Sequence, residues 1–457
     1  MFLGKLYLTA ASALFYIYGG WEIAFILGIS IIANYMFSIL IYRVKIRTLN
    51  KLFLAVSIIA NVAVLLYFKY FNFFISNVNM IFKAEFTVEY IILPLGISFF
   101  TFQQIMYVVN VYKGAFEKID IFDYLTYVLY FPKLISGPIV EPVGLISQIN
   151  DEGRKRINWD NVSNGIKIFS LGLFKKMLLA DTFALAVNWG YKNIETATSM
   201  DWFLIMLSYT LEIYFDFSGY SDMAVGVSTM LNIELPINFD SPYKALSIRD
   251  FWKRWHITLT DFLTRYVYIP LGGSRKGKIR TYVNTLIVFL VSGIWHGANW
   301  TFILWGVLHG LFSILDRIFE KSQKKVFEAV RWMGTFFVVN VLWLLFRSDS
   351  VFQWKSILSN MFKFQNMSVS EGLINTFVLP ETEFLNRLLH IENLYTKIRG
   401  FNLLAFIVGG MLICLVPENN YKTLKKNNWF YMFVCAAAFV WAFLCLGGES
   451  VFVYFNF

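Results

Sequence analysis

Residues 281–315 read TYVNTLIVFLVSGIWHGANWTFILWGVLHGLFSIL, thirty-five positions without a single Lys, Arg, Asp or Glu. About 20 apolar residues at 1.5 Å each cross a hydrocarbon core roughly 30 Å thick, so the run is long enough for two helical spans. Gly293 and Gly297 permit a bend or a close helix approach, and the expected break lies near 293–299. His296 sits at that break. An imidazole so deep in apolar sequence is costly, which makes it a functional candidate by default.

The rest of the chain has the same character. Of 457 residues, 57% are apolar, 19% aromatic and 15% charged, whereas soluble domains run about 45–50% apolar and about 25% charged. A water-soluble reading is thereby the weak one, and disordered, collagen-like and nucleic-acid-coating classes are excluded. Further charge-free stretches lie at 6–21, 23–42, 52–68, 90–112, 332–346, 401–416 and 429–448. Between 121 and 235 the apolar segments are interrupted by Lys133, Asp181, Glu212 and Asp216, so those helices face protein or water. The expectation is an all-α polytopic membrane protein of ten to twelve spans, because lipid offers no partner to unpaired backbone groups. The N-terminal stretch carries Lys5 and no small-residue cleavage pattern, and reads as a retained first span. Cys414, Cys435 and Cys445 lack disulfide or zinc spacing and read as buried small hydrophobes, with no metal site.

On a membrane chain the net charge of +10 orients the loops. Arg43, Lys45, Arg47 and Lys51, then Arg317, Lys321, Lys324, Lys325 and Arg331, then Lys422, Lys425 and Lys426 are placed in the cytoplasm. The loop 348–400 balances Asp349, Glu371, Glu381, Glu383 and Glu392 against Lys355, Lys363, Arg387, Lys397 and Arg399, which suits the outer face. Span parity then puts the turn 295–300 toward the outside.

The segment 236–280 holds nine bases against three acids and belongs to the cytoplasmic side. Ile248, Phe251, Trp252, Trp255, Leu259, Phe262, Leu263 and Tyr266 fall at helical spacing, predicting one amphipathic interfacial helix with His256 on its apolar face. A structural histidine fits that spacing as well as a catalytic one. Gly272 to Lys278 approaches a phosphate-loop pattern, but Ile279 stands where its Ser or Thr belongs and no strand precedes it, so a basic surface turn is the reading. His309 reads as structural, and His390 falls in the polar loop. Glu212 and Asp216, at i and i+4, with Ser218, Tyr220, Ser221 and Asp222, form a polar stripe that must face a cavity or pair with Lys or Arg. A structural network lining a tunnel wall is favoured there over a paired-carboxylate hydrolase. No G-x-S-x-G elbow, H-E-x-x-H pair or dinucleotide fingerprint occurs.

Five separated blocks carry a resemblance: Leu93-Pro-Leu-Gly-Ile-Ser-Phe-Phe-Thr-Phe-Gln103, Phe131-Pro-Lys-Leu-Ile-Ser-Gly-Pro138, Asp216-Phe-Ser-Gly-Tyr-Ser-Asp222, Phe251-Trp-Lys-Arg-Trp-His256 and Trp295-His-Gly-Ala-Asn-Trp300. Together they resemble the membrane-bound O-acyltransferases, nearest to the alginate O-acetyltransferase branch, which includes bacterial enzymes acetylating peptidoglycan and other envelope polysaccharides. Asn110 departs from that branch, which carries Asp there. The resemblance implies one integral-membrane domain over 1–457, with core motifs at 90–315 and the outer loop at 348–400. It implies a ring of helices around re-entrant and interfacial segments, pierced by a tunnel, in a bacterial inner membrane. It also implies that His296 is catalytic and His256 a second site residue. Asn299, Trp295, Arg254 and Lys253 are then expected at the donor or oxyanion, and Glu212, Asp216, Ser218, Asp222 and Gln103 along the tunnel. The expected donor is acetyl-CoA or another acyl thioester, with no tightly bound cofactor. The expected acceptor is an extracytoplasmic polysaccharide, reached directly or through a serine of a secreted or membrane-anchored SGNH-type partner; membrane lipid surrounds the chain and nucleic acid plays no part. His296 is expected to act as general base on the accepting hydroxyl. Two other readings stand beside this one: D-alanyl transfer to teichoic acid by a related enzyme, and a non-catalytic transporter of glycan or acyl groups.

Overall fold

The charge-free stretches fold as helices. A computed structural model of the chain describes residues 2–89, 91–380, 387–388, 390, 400–417, 419–423 and 428–447. Within the loop 348–400, Glu381, Glu383, Glu392, Lys397 and Arg399 lie outside the described residues, as do Lys425 and Lys426 of the third basic cluster. Among the described residues the only β pairing is an isolated bridge between Phe239 and Trp255. Trp21–Arg43, Arg47–Phe82, Trp300–Ile318 and Glu328–Arg347 are long and apolar enough to cross a membrane, and Phe401–Leu415 and Trp429–Leu444 are shorter apolar helices. That is fewer than the ten to twelve spans expected. The shortfall comes from helices of limited length, such as Phe2–Tyr18 and Ile97–Tyr112, and from charge-bearing ones such as Ser199–Met230. Outward positions such as Ile32, Ile59, Leu404, Leu412 and Phe443 are exposed apolar side chains, which suit lipid and not water.

The chain divides into two compact units, Met1–Ile166 with Ala224–Ile237, and Lys167–Met223 with Asn238–Phe457. In the first, helices Trp21–Arg43, Arg47–Phe82 and Ile97–Tyr112 pack together. A buried amide cluster ties them: Asn61 Nδ2 donates to Asn34 Oδ1 at 2.6 Å, and Asn34 Nδ2 donates to Gln104 Oε1. Such interhelical amide bonds stand in for the hydrophobic driving force that lipid cannot supply. The stretch 90–112 does not become helical throughout. Pro94 and the left-handed Gly96 (φ +72°) delay the helix to Ile97, and a Cβ on Gly96 would sit 2.9 Å from the Leu134 carbonyl oxygen.

In the second unit the stretch 281–315 is the expected hairpin, helices Lys278–His296 and Trp300–Ile318. Gly297 is extended, and Asn299 caps the second helix, its Oδ1 accepting from Thr301 N at 3.1 Å. The two helices touch backbone to backbone: a Cβ on Gly293 would lie 2.4 Å from Phe302 O, and one on Gly306 2.3 Å from Phe289 O. Gly293 thus serves the close approach, while the break itself falls at 297–299.

Candidate active site

The predicted single helix over 248–266 is broken at the histidine. Ile248–Arg254 and Ile257–Leu263 are separate helices, and π-helical Thr264–Tyr268 follows. Between them Trp255 is extended and bridges Phe239, while His256 adopts a left-handed backbone (φ +45°). Asp240 N donates to Arg254 O at 2.9 Å and Ile257 N to Asn238 O at 3.0 Å, so segment 238–240 supplies the partners that a continuous helix would have supplied. A left-handed non-glycine residue costs on the order of 1–3 kcal/mol, and such strain persists only where surrounding contacts hold it.

Those contacts also set the proton on the ring. Thr258 N and Oγ1 both donate to Asn238 Oδ1, at 3.3 and 2.7 Å. A backbone N–H can only donate, so that atom is the amide oxygen, and His256 Nδ1, 3.4 Å away, meets it as a donor. The proton therefore sits on Nδ1 and Nε2 is the ring's acceptor. His256 is fully buried, its ring edge-on to Phe217 at 4.7 Å and 6.1 Å from Trp295.

His296, also buried, closes the first helix of the hairpin within an aromatic wall. Its ring centroid lies 4.9 Å from Trp295, 5.1 Å from Trp305 and 5.2 Å from Phe346. Trp295 stands between the two imidazoles. His309 takes the opposite tautomer to His256: Trp252 Nε1 donates to its Nδ1 at 3.1 Å, leaving the proton on Nε2. This fixed, fully buried geometry agrees with the structural reading of His309.

A cavity of about 250 Å³ lies against Trp252, the hydrogen-bond partner of His309; none of the three histidines lines it. Arg249, Lys253 and Arg317 line it, together with the aromatic walls of Trp252, Phe289 and Tyr268 and the hydroxyls of Thr260, Thr264, Thr285, Ser292 and Ser313. Ser292 precedes His296 by four residues on the same helix, one turn. Arg249 also pairs with Glu320 at 3.2 Å, and hydrogen bonds from Lys324 and then Arg249 hold that exposed carboxyl below its usual range.

The remaining expected site residues fall elsewhere. Beyond capping, Asn299 Nδ2 donates to the Asp349 carbonyl at 2.8 Å, so each end of the amide holds the turn. Arg254 is held by Asp250 at 2.9 Å and by the Asp240 carbonyl, while Lys253 is exposed at the cavity. The polar stripe resolves into ion pairs. Asp216 meets Lys176 at 2.8 Å, and Lys176 also meets Asp181 at 2.7 Å, whereas Asp222 pairs with Lys175 at 2.7 Å. The π-helical turn Lys175–Ala180 presents these two adjacent lysines to two carboxylates on helix Ser199–Met230. Ser218 and Asp222 line a second cavity, and Glu212 is buried on the same helix. Gln103 belongs to the first unit, where its Oε1 accepts from fully buried Lys133 at 2.6 Å. Gly272 and Gly273 form a left-handed turn, the Leu271 carbonyl before it accepting from Arg280 and the Gly273 carbonyl from Asn284, with exposed Arg275 and Lys276, which is the basic surface turn expected.

Residues 43–351 match the membrane-bound O-acyltransferase family, MBOAT. The chain belongs to this family. It is 35% identical to the peptidoglycan O-acetyltransferase of Helicobacter pylori over 99% of its own length and 91% of that protein. It is 35% identical to the probable alginate O-acetylase of Pseudomonas putida, over 80% of this chain and 76% of the other. The teichoic acid D-alanyltransferase of Streptococcus thermophilus is 28% identical over 51% of this chain and 59% of that protein. The protein is thus a membrane-bound O-acyltransferase, which removes the non-catalytic transporter reading.

Within this acyltransferase, Asn238 is the residue the sequence pattern missed. It lies outside every quoted block and outside the helical periodicity, and only the backbone pairing of 238–240 with 254–257 brings it to His256. Asn238→Ala is expected to lower turnover by about tenfold, roughly 1.4 kcal/mol, by releasing the His256 ring. Asn238→Asp, which keeps an acceptor for Thr258 and His256, should recover most of it. A turnover assay with a thermal melt on both variants checks this.

Proposed function

We propose that this acyltransferase moves an acetyl group from a cytoplasmic thioester, acetyl-CoA, to a hydroxyl outside the membrane, for O-acetylation of a cell-envelope polysaccharide, with His296 as general base. The observation that carries the reading is the cavity lined by Arg249, Lys253 and Arg317 and also by Ser292, one turn before His296. Guanidinium and ammonium groups suit the phosphates of a coenzyme A carrier, and the apolar walls suit a thioester arm. The uncompensated basic loops support a cytoplasmic placement of this face, in a bacterial inner membrane crossed many times. The names of the relatives in Helicobacter and Pseudomonas support peptidoglycan or an alginate-like exopolysaccharide as acceptor. D-alanyl transfer is the weaker reading, because the relatives so named match only about half of the chain.

In the reaction, a ring nitrogen of His296 takes the proton of the accepting hydroxyl as its oxygen bonds to the thioester carbonyl carbon. The tetrahedral intermediate collapses with cleavage of the carbon–sulfur bond, and the imidazolium returns its proton to the leaving thiolate. His256 and Trp295 line the same aromatic enclosure and orient the acyl group. The accepting hydroxyl is that of the sugar or the serine of an SGNH-type partner, and the two are separated by one assay. Reconstituted protein receives labelled acetyl-CoA on one side and glycan, with or without the partner, on the other. Label on glycan without partner means direct transfer; label on the partner's serine means a relay; no label on either overturns the proposal. Arg249→Ala and Lys253→Ala are each expected to raise KM for acetyl-CoA by about tenfold with kcat nearly unchanged, because they remove binding shared by ground and transition states.

A further inference from the structure

A second cavity in the Lys167–Met223 and Asn238–Phe457 unit, about 600 Å³ in volume, is bounded by helices Ser199–Met230, Phe401–Leu415 and Trp429–Leu444 and by residues 171–179. Its body is hydrocarbon and aromatic: Phe174, Ile413, Val434, Ala437, Ala438 and Trp441. Its other end is polar. There Lys175, Tyr421 and Asn420 all donate to the one carboxylate of Asp222, at 2.7, 2.5 and 2.9 Å. Lys244 donates to the carbonyl of Pro417, which also lines the cavity, at 2.7 Å.

We infer that this cavity is a phospholipid site, with an acyl chain in the apolar body and the phosphodiester at Lys175 and Lys244. Three observations select that occupant. Apolar surface predominates in the lining, although Tyr214, Ser218, Ser241, Asn419 and Tyr431 add hydroxyl and amide groups to those at Asp222, which suits an amphiphile better than a sugar or a peptide. The two helices that close the cavity, Phe401–Leu415 and Trp429–Leu444, expose Leu404, Leu412, Val440 and Phe443 on their outer faces, so in a membrane they are bathed in lipid. An ammonium has three N–H donors, and Lys175 gives one to Asp222, so a phosphate oxygen can join the same cluster.

The site is connected to the catalytic cluster by packing. Phe239 lines the cavity and meets Trp255 at 4.9 Å and Phe217 at 5.0 Å, and Phe217 meets the His256 ring at 4.7 Å. A bound chain therefore backs the residues that hold His256, independently of what the enzyme acylates.

The test uses the full chain in nanodiscs containing a phospholipid with a diazirine in its acyl chain. After illumination, residue-level mapping should find label on the buried lining residues Leu179, Cys414 and Ala438 in addition to the outward Leu412 and Phe443. Native mass spectrometry of the detergent-released chain should show one retained phospholipid, and Ala438→Trp, which fills the cavity, should reduce that species at least tenfold without changing label at Leu412. Where Ala438→Trp lowers the melting temperature, Ala438→Leu serves with the same expectation. Label confined to outward residues, retention of detergent alone, or equal lipid retention in a folded cavity-filled variant would each overturn the inference.

Discussion

His296→Ala is expected to lower acyl transfer by about 10²–10⁴-fold, the usual worth of a positioned general base, while the protein still inserts and melts near the wild-type temperature. In barrier terms this is about 3–5 kcal/mol. The prediction separates chemistry from architecture because the imidazole's neighbours are independently anchored. Trp305 packs on Trp252 at 5.5 Å and on Trp343 at 5.9 Å, and Phe346 packs on Phe302 at 4.8 Å, so the enclosure survives loss of the ring. KM for the thioester should change little, since the basic groups at the cavity are untouched. His296→Gln makes the sharper control: it restores hydrogen bonding and approximate volume but cannot accept and return a proton through the reaction. Equal activity of His296→Gln and wild type would remove His296 from the role of base.

The hairpin was legible because a charge-free run of thirty-five residues admits few alternatives and Gly297 with Asn299 interrupts it. The pairing of Asp216 and Asp222 was legible in kind, since an acid on a buried helix face needs a cation, but its partners Lys175 and Lys176 were not. They lie forty or more residues away, and a π-helical turn aims both at once. The break at His256 was hidden by the very pattern used to read the region. Ile248–Arg254 and Ile257–Leu263 are both helical and their apolar positions stay nearly in phase, so spacing alone cannot register the extended Trp255 between them. What breaks the helix is a competing partner, Phe239, sixteen residues earlier. Asn299 shows how one residue admits two readings: a polar residue near His296 suggests a chemical role, while Asn preceding an apolar helical run is also a standard cap, and its amide does cap Thr301. The cavity at Ser292 was out of reach because its five Ser and Thr hydroxyls come from three separate segments, each unremarkable by itself.

Gly306→Leu should prevent assembly of the active site altogether, giving a chain without activity and with loss of cooperative melting. The reason is steric and lies in backbone, which can yield only by shifting a whole helix, slightly for one added carbon and far more for a leucine side chain. A Cβ at 306 would stand 2.3 Å from the Phe289 carbonyl oxygen and 3.1 Å from the Gly293 Cα. The Phe289 oxygen is part of the helix that ends in His296, so relieving the clash requires the two helices to separate. Separation would pull Trp305 and His309 away from His296 and Phe289, which they now meet at 5.1 and 6.2 Å. Gly306→Ala carries the same clash with only one added carbon, and an overpacked contact of that kind costs about 1–3 kcal/mol. It should therefore fold with a lowered melting temperature and keep measurable turnover. The graded pair distinguishes helix approach from any chemical role of the glycine. If Gly306→Leu inserts, melts and turns over like wild type, the hairpin cannot be packed as described, and the placement of His296 beside Trp305 falls with it.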